Sequence, residues 1–416
     1  MTTSRRQRIV YTNHTGQVSG AERVLLNMLR GLDQIRYEPF VICPAEENLQ
    51  SMLEHEGIPY ATVPMLHARF TWRPSELLRY LSSFARLILA TRKEIQRGDP
   101  DLVHANTVRA GIAATLATMG TRRIIVWHVH DDLPQHPLSE IIRLLAYSSK
   151  RTRIVAVSKA TAKSFSGTLS FEGRMHVISN GTDLSLFPLK RDGESPLKGE
   201  LGISDQSFLV CAVGQICARK GLRALLEAFS QIYDDAPSIH LAIVGKPVFS
   251  HEEQYRDELV ETAVAAGISD RVHFTGERQD ISGVLRSADL LVLNSLEEPF
   301  GLVLVEAMSS GTAVLATRVG GIPEIVSDSK SGWLIERNDT AGLASKMLEL
   351  SKDPGLLGEV ARYAHDEVSP LFSLERFLAN LHAFYAELPK PHCTSREIER
   401  PLLLTELRNE QGDQHV

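Results

Sequence analysis

Cysteine is scarce in this chain of 416 residues. Cys43, Cys211, Cys217 and Cys393 form no C-x-x-C pair and no Cys/His cluster at zinc spacing. A disulfide-stapled scaffold and a zinc module are therefore excluded, and free thiols in a reducing cytoplasm are expected. No apolar run approaches the roughly 20 residues needed to span a bilayer. Arg5, Arg6 and Arg8 lead straight into Ile9-Val10-Tyr11 with no apolar segment behind them, which argues against a secretory signal. Gly16 and Gly20 do not make a G-x-G-x-x-G fingerprint, so a nicotinamide cofactor is unsupported and no cofactor is expected. Lys246 has neither the preceding glycine spacing nor the following Ser/Thr of a Walker lysine. The one Asp-x-Asp, Asp99-Pro-Asp101, stands before a strand and reads as a turn, so no metal site is assigned.

What is present is a long chain with ordinary globular composition, and its length predicts two domains. Charge is uneven. Residues 1–188 carry 23 Lys and Arg against 16 Asp and Glu, while the whole chain has a net charge of −6. A basic front half suits an anionic surface as partner, or merely a basic acceptor side of an enzyme; both readings stand. Short β-rich runs alternate with amphipathic helical stretches almost throughout. They are Arg8–Tyr11, Tyr37–Cys43, Ile58–Val63, Leu102–His104, Ile124–Val129, Ile154–Val157 and Met175–Ile178 in front, then Phe208–Val213, Ile239–Val244, Val272–Phe274, Leu290–Leu293 and Ala313–Ala316 behind. This α/β grammar predicts two Rossmann-like, doubly wound parallel-sheet domains, 1–188 and 206–370, joined by a polar linker at 189–205. Residues 389–416 lack a stable period and read as a flexible tail, apart from a short helical pattern around Leu402–Leu407. Ligands of such sheets bind beyond the carboxyl ends of the strands, so two sheets with facing strand ends would frame a central cleft.

The segments just after strands carry the chemistry. Asn294-Ser-Leu-Glu-Glu298-Pro-Phe-Gly301 leads into a helical pattern at Leu302–Ser310. The N–H groups of Gly301, Leu302 and Val303 then open a helix and suit a diphosphate. Glu298 lies on the loop before it and Glu306 inside it, one able to reach a sugar and the other a ribose. Lys220, beside Arg219 and Gly221, follows the first strand of the back half and offers a cation where negative charge would grow. In front, Trp127-His128-Val129-His130-Asp131-Asp132 ends a strand, with His128 and His130 on the same side of an extended chain. His-x-His followed by two Asp could hold a cation. The helix Pro74–Arg97 interleaves Leu77, Leu78, Leu81, Phe84, Leu87 and Ile88 with Arg79, Arg86, Arg92, Lys93 and Arg97. It reads as a core helix with solvated arginines, with contact to an anionic membrane as the other reading.

These motifs, with Asn180-Gly-Thr-Asp183, Val213-Gly-Gln-Ile-Cys-Ala-Arg-Lys220, Ile243-Val-Gly245, Phe274-Thr-Gly276 and Gly320-Gly-Ile-Pro-Glu324, follow the order of a known family. Glu298–Glu306 resembles the E-x7-E signature of retaining GT-B glycosyltransferases, especially glycosyltransferase family 4, and the resemblance runs from about residue 8 to 388. It implies a GT-B fold, a UDP-, GDP- or ADP-sugar donor, retention at the anomeric carbon without a metal, and a last helix, Leu374–Leu388, that crosses back to the first domain. Residue by residue it implies His130 (His128 as alternate), Lys220 and Glu298 as catalytic. Gly20, Gln215, Arg219, Lys220, Gly301, Leu302, Val303 and Glu306 would bind the donor. Gln215 stands where the family has an arginine, and Arg219 could supply the missing charge. A saccharide or lipid-linked acceptor is implied, its recognition assigned to loops such as Met65–Arg73 and Leu133–Pro137. A cytoplasmic location, with peripheral contact to the inner face of the plasma membrane, follows from the same resemblance and the basic front half; no nucleic acid is expected. A nucleotide-sugar 2-epimerase or an inactive sugar-nucleotide-binding scaffold of the same fold are the rival readings. A phosphorylase would need a pyridoxal phosphate lysine, for which no sequence context appears.

Overall fold

The computed structural model describes residues 5–45, 47–66, 74–191 and 193–389. The tail, the helical pattern around 402–407, Cys393 and most of the loop Met65–Arg73 lie outside them.

The first sheet comprises β1 (Gln7–Thr12), β2 (Tyr37–Pro44), β3 (Tyr60–Val63), β4 (Leu102–Ala105), β5 (Ile124–Val129), β6 (Thr152–Ala156) and β7 (Met175–Val177), in the order β3-β2-β1-β4-β5-β6-β7. The second comprises β8 (Phe208–Val213), β9 (Ile239–Val244), β10 (Val272–Gly276), β11 (Leu290–Leu293), β12 (Ala313–Thr317) and β13 (Trp333–Ile335), ordered β10-β9-β8-β11-β12-β13. Each sheet grows outward in both directions from its first strand. β1 pairs in parallel with β2 and β4, and β8 with β9 and β11. The winding therefore reverses at β1/β4 and at β8/β11, the two places where such sheets hold ligands.

Strand β8 shows why the second sheet is buried on both faces. Val210 and Ala212 join Leu225, Phe229, Leu241 and Leu315 in one apolar cluster. Leu209 and Cys211, one residue out of phase, join Leu291, Leu304, Met308 and Val314 in the other. A continuous apolar run results, the mark of a parallel strand covered by helices on both sides.

By compactness the described residues divide into two units, those up to 128 with 144–153 and 388–389, and those of 129–143 with 154–387. The boundary thus falls within β6, after Arg153, and β7 and the residues just after β5 belong to the second unit.

Three local readings change. The polar stretch 189–205 holds a helix, Pro196–Glu200, in which Leu197 is buried and Lys198 Nζ reaches Asp289 Oδ2 at 2.9 Å. One buried leucine gives no period to read. β13 is only three residues long, too short for alternation to show, yet Trp333 is buried opposite Leu315. The helix Pro74–Gly98 is not wholly core. Ser83, Leu87, Thr91 and Ile95 form its buried edge, whereas Leu78, Leu81 and Leu89 stand exposed. Among the described residues, no helix is long and apolar enough to cross a membrane. Asp99-Pro-Asp101 forms a turn whose carboxylates serve the fold: Asp99 accepts from Arg123 and Asp101 from the Arg8 amide.

Candidate active site

At the β8/β11 reversal, the glycine-bearing ends of β8, β9 and β10 come together. Gly214 N donates to Val244 O at 2.9 Å, and Gly245 N to Gly276 O at 2.8 Å. Gly245 has φ +146°, and a Cβ there would stand 1.8 Å from Gly214 O, so this floor closes only around glycine.

The turn after β8 is laced to the loop after β11. Leu296 N donates to Arg219 O at 2.8 Å, Asn294 Nδ2 to Gly221 O at 3.0 Å, and Arg219 to Glu297 O at 3.3 Å. These bonds bring two groups from distant parts of the sequence into contact, with Lys220 Nζ 2.5 Å from Glu298 Oε2. Ser295 Oγ donates to the same oxygen at 3.0 Å. Both side chains of the ion pair are largely shielded, 15% exposed for Lys220 and 10% for Glu298. A close, desolvated pair of this kind holds its geometry better than a surface ion pair.

Glu298 is also fixed through its backbone. Gly321 N donates to Glu298 O at 2.9 Å. Gly320, at φ +52°, passes so close that a Cβ would lie 2.0 Å from that carbonyl. Phe300 is buried against Phe372, the rings edge-on at 5.7 Å. Beyond it the helix Leu302–Ser309 begins. Leu304, Val305, Ala307 and Met308 are buried, while Leu302, Val303 and Glu306 share its half-exposed side. The first N–H groups of this helix are without intrahelical acceptors, beside the Lys220–Glu298 pair.

The side-chain amide of Gln215 is engaged by a carboxylate. Its Nε2 lies 2.7 Å from each oxygen of Glu252, which also accepts from the amides of Val248 and Phe249. Glu252 is a site residue that the sequence did not reveal; it lies 37 positions away on another helix, with no spacing to mark it. A pocket of about 390 Å³ opens alongside, lined by Gln215, Cys217, Arg219, Phe249, Glu252 and Tyr255 among others.

His130 follows β5 directly, and burial of its ring lowers its pKa from 6.5 to about 3. His128 is fully buried, its Nδ1 3.3 Å from His104 Nε2. The strand ends at Val129, so His130 stands just past it. Asp132, two residues on, has its pKa raised by burial, opposed by a hydrogen bond from Thr161, and raised further by the nearby charges of Glu297, Asp131 and Glu298. His130 is therefore expected to stay neutral throughout the physiological range. The unfolded chain takes up this proton near pH 6.5, so the site costs stability as pH falls from about 6.5 to about 3. Ring resonances followed by NMR should show no titration of His130 between pH 8 and 5; a midpoint near 6.5 would contradict the buried ring.

In the first unit, Gly20 opens the helix Gly20–Arg30, and a Cβ there would meet no protein atom within 4 Å. The fold itself does not require glycine at this point. Next to it, buried Glu22 accepts from Asn13 Nδ2 at 3.0 Å and from Ser19 N at 3.0 Å.

Comparison with known proteins agrees with this geometry. Residues 18–186 match the family model described as Glycosyltransferase Family 4, and residues 195–367 that of Glycosyl transferases group 1. The chain is 28% identical over 301 residues to the N-acetyl-alpha-D-glucosaminyl L-malate synthase of Bacillus anthracis, covering 70% of this chain and 76% of that one. It is 34% identical over 221 residues to a D-inositol 3-phosphate glycosyltransferase of Corynebacterium jeikeium, covering 52% of each. Among solved structures, Anabaena Alr3699/HepE in complex with UDP-glucose superposes with a TM-score of 0.80 at 25% identity, covering 92% of this chain and all of that one. Two parallel Rossmann-like sheets, a Lys220–Glu298 pair at the second reversal and two family matches that together take up most of the sequence lead to one assignment: the chain is a GT-B glycosyltransferase of family 4.

Proposed function

We propose that this glycosyltransferase moves a hexose-type residue from a nucleoside diphosphate sugar to a saccharide or lipid-linked acceptor, with retention and without a metal. The observation that carries the reading is the shielded Lys220–Glu298 pair beside the start of the Leu302–Ser309 helix. Lys220 and the N–H groups at Gly301–Val303 receive the diphosphate as its charge grows on departure. Arg219 supplements them, because the Gln215 amide is engaged by Glu252. Glu306 holds the ribose, Glu298 a hydroxyl of the donor sugar, and neutral His130 helps set the sugar's position.

In this reading the C1–O bond to the phosphate breaks while the acceptor oxygen bonds to C1 on the same face, and the acceptor's proton passes to the departing phosphate. Glu298 orients rather than attacks, since Lys220 and Ser295 already occupy one of its oxygens. UDP-glucose is the first donor to test, because it is the ligand of the Anabaena neighbour. The front-half residues 1–188 serve the acceptor. The exposed Leu78, Leu81 and Leu89, with Arg79, Arg86 and Lys93 on the same helix, suit peripheral contact with an anionic membrane.

A panel of UDP-, GDP- and ADP-sugars, scored for nucleotide release with and without acceptors, tests the reading. UDP release from UDP-glucose that rises when a saccharide acceptor is added is the expected result. Release of a free epimer, or binding without any release, would favour the epimerase or the scaffold instead.

A further inference from the structure

Glu324 lies in none of the roles above, yet its carboxylate makes an unusual contact. Its Oε2 accepts from the Lys159 amide at 3.0 Å and its Oε1 from the Ala160 amide at 3.0 Å. Those are the first two N–H groups of the helix Lys159–Ser166, where a negative charge is favoured by both orphan donors and helix dipole. Ser158 caps the same end, its Oγ accepting from Thr161 N at 3.0 Å.

The two ends of this helix reach different parts of the site. At its start, Thr161 supplies the hydrogen bond to Asp132 and brings its Oγ1 to 3.5 Å from Pro299 O. At its finish, buried Arg143 donates to Phe165 O at 3.0 Å and Ser164 O at 2.9 Å, and also to Leu133 O at 3.2 Å. Ser164 Oγ donates to Leu133 O as well. The helix therefore holds Asp132 and the Glu298 loop together at its start and Leu133 at its finish. The turn that carries Glu324 is wedged into that loop: a Cβ on Gly321 would stand 2.3 Å from Pro299 O and 3.0 Å from Ser158 Cβ.

We propose that Glu324 is a positioning residue for sugar transfer, which sets where His130 and Asp132 stand relative to Glu298 by anchoring the N-terminus of the Lys159–Ser166 helix. The proposal rests on the glycosyltransferase reading for its kinetic consequence, but its structural half does not. Both Glu324 carboxylate oxygens are taken up by backbone amides of this helix. The loss of Glu324 leaves Lys220 and the Leu302–Ser309 helix intact, while the 130–137 segment loses its fixed distance from Glu298. A displacement of about 1 Å between reacting groups is enough to cost about 10²-fold in rate.

The test uses the full chain as wild type, E324A and E324Q, with three readouts: hydrogen–deuterium exchange, UDP affinity by calorimetry, and steady-state transfer from UDP-glucose. In E324A, exchange should accelerate at 130–137 and 159–166, kcat should fall 10- to 100-fold, and the Kd for UDP should stay within twofold. E324Q keeps one carbonyl acceptor and should fall between the two. A folded E324A with unchanged kcat, or a UDP Kd that weakens in step with kcat, would overturn the proposal. Should E324A fail to fold, E324Q decides by the same criteria. A wild-type chain that releases no nucleotide from any of the UDP-, GDP- or ADP-sugars sinks the function reading alone; unchanged exchange in the variants then still overturns the anchoring.

Discussion

K220A is expected to lower kcat/KM by about 10²- to 10³-fold, the usual cost of removing one fixed group that meets developing negative charge. It is also expected to lose stability, because Glu298 is left shielded with only Ser295 on that oxygen. Removing one member of a buried ion pair costs up to about 3–5 kcal/mol, and this pair, slightly exposed, should fall toward the lower end. The two effects can be separated. Adding E298Q to K220A neutralises the stranded carboxylate, so the urea midpoint should recover while activity does not. Urea titrations and steady-state kinetics on wild type, both single variants and the double variant check this. If the double variant regained activity together with stability, Lys220 would be a structural partner of Glu298 and nothing more. If K220A kept both, the pair would have no role in this site.

G320A is the second large effect. A Cβ at this position would lie 2.0 Å from Glu298 O, and φ of +52° is unfavourable for alanine in any case. Backbone strain and forced repacking each cost about 1–3 kcal/mol, so a loss of about 2–6 kcal/mol is expected. Relief can come only by moving the Glu298 loop or the turn leading to Glu324, so kcat should fall even where the protein stays folded. G358A serves as the control. Gly358 lies inside the helix Pro354–Tyr363 with open space around it, and alanine there should stabilise by about 0.5–1 kcal/mol. Urea midpoints moving in opposite directions for the two variants would support the account. A G320A protein as stable and active as wild type would refute the close approach.

The contrast between these glycines bears on what a sequence can disclose. Strands such as Ile124–Val129 and Leu290–Leu293 were legible to the residue, because an apolar run between turn residues leaves little choice of boundary. Glu298, Lys220 and the start of the Leu302–Ser309 helix were legible as candidates because each lies in the segment between a strand end and the next helix, where this architecture concentrates its ligands. The Glu252 clamp on Gln215 was not, since a hydrogen bond across 37 positions leaves no period. The contact of His128 with His104 was hidden for another reason. The two rings stand on different strands, and a single sequence does not show which strands pair. Glu324 stood in a recognisable motif, but only the tertiary structure shows which helix it touches.

The lacing of the turn after β8 to the loop after β11 also bears on how the second sheet is completed. Lys220 and Glu298 are separated by 78 positions, and β9 and β10 lie between them in sequence but on the far side of β8 in space. β9 and β10 lie along one edge of β8, and β11 returns to its other edge. Such a long-range pairing carries an entropic cost of loop closure. A nascent or partly folded chain lacking β11 has Lys220 but no Glu298 loop and no Leu302–Ser309 helix. On the proposed reading the nucleotide site is thus incomplete until β11 and the loop after it stand beside β8, whereas β12 and β13, which extend the sheet beyond β11, contribute none of the groups assigned to it.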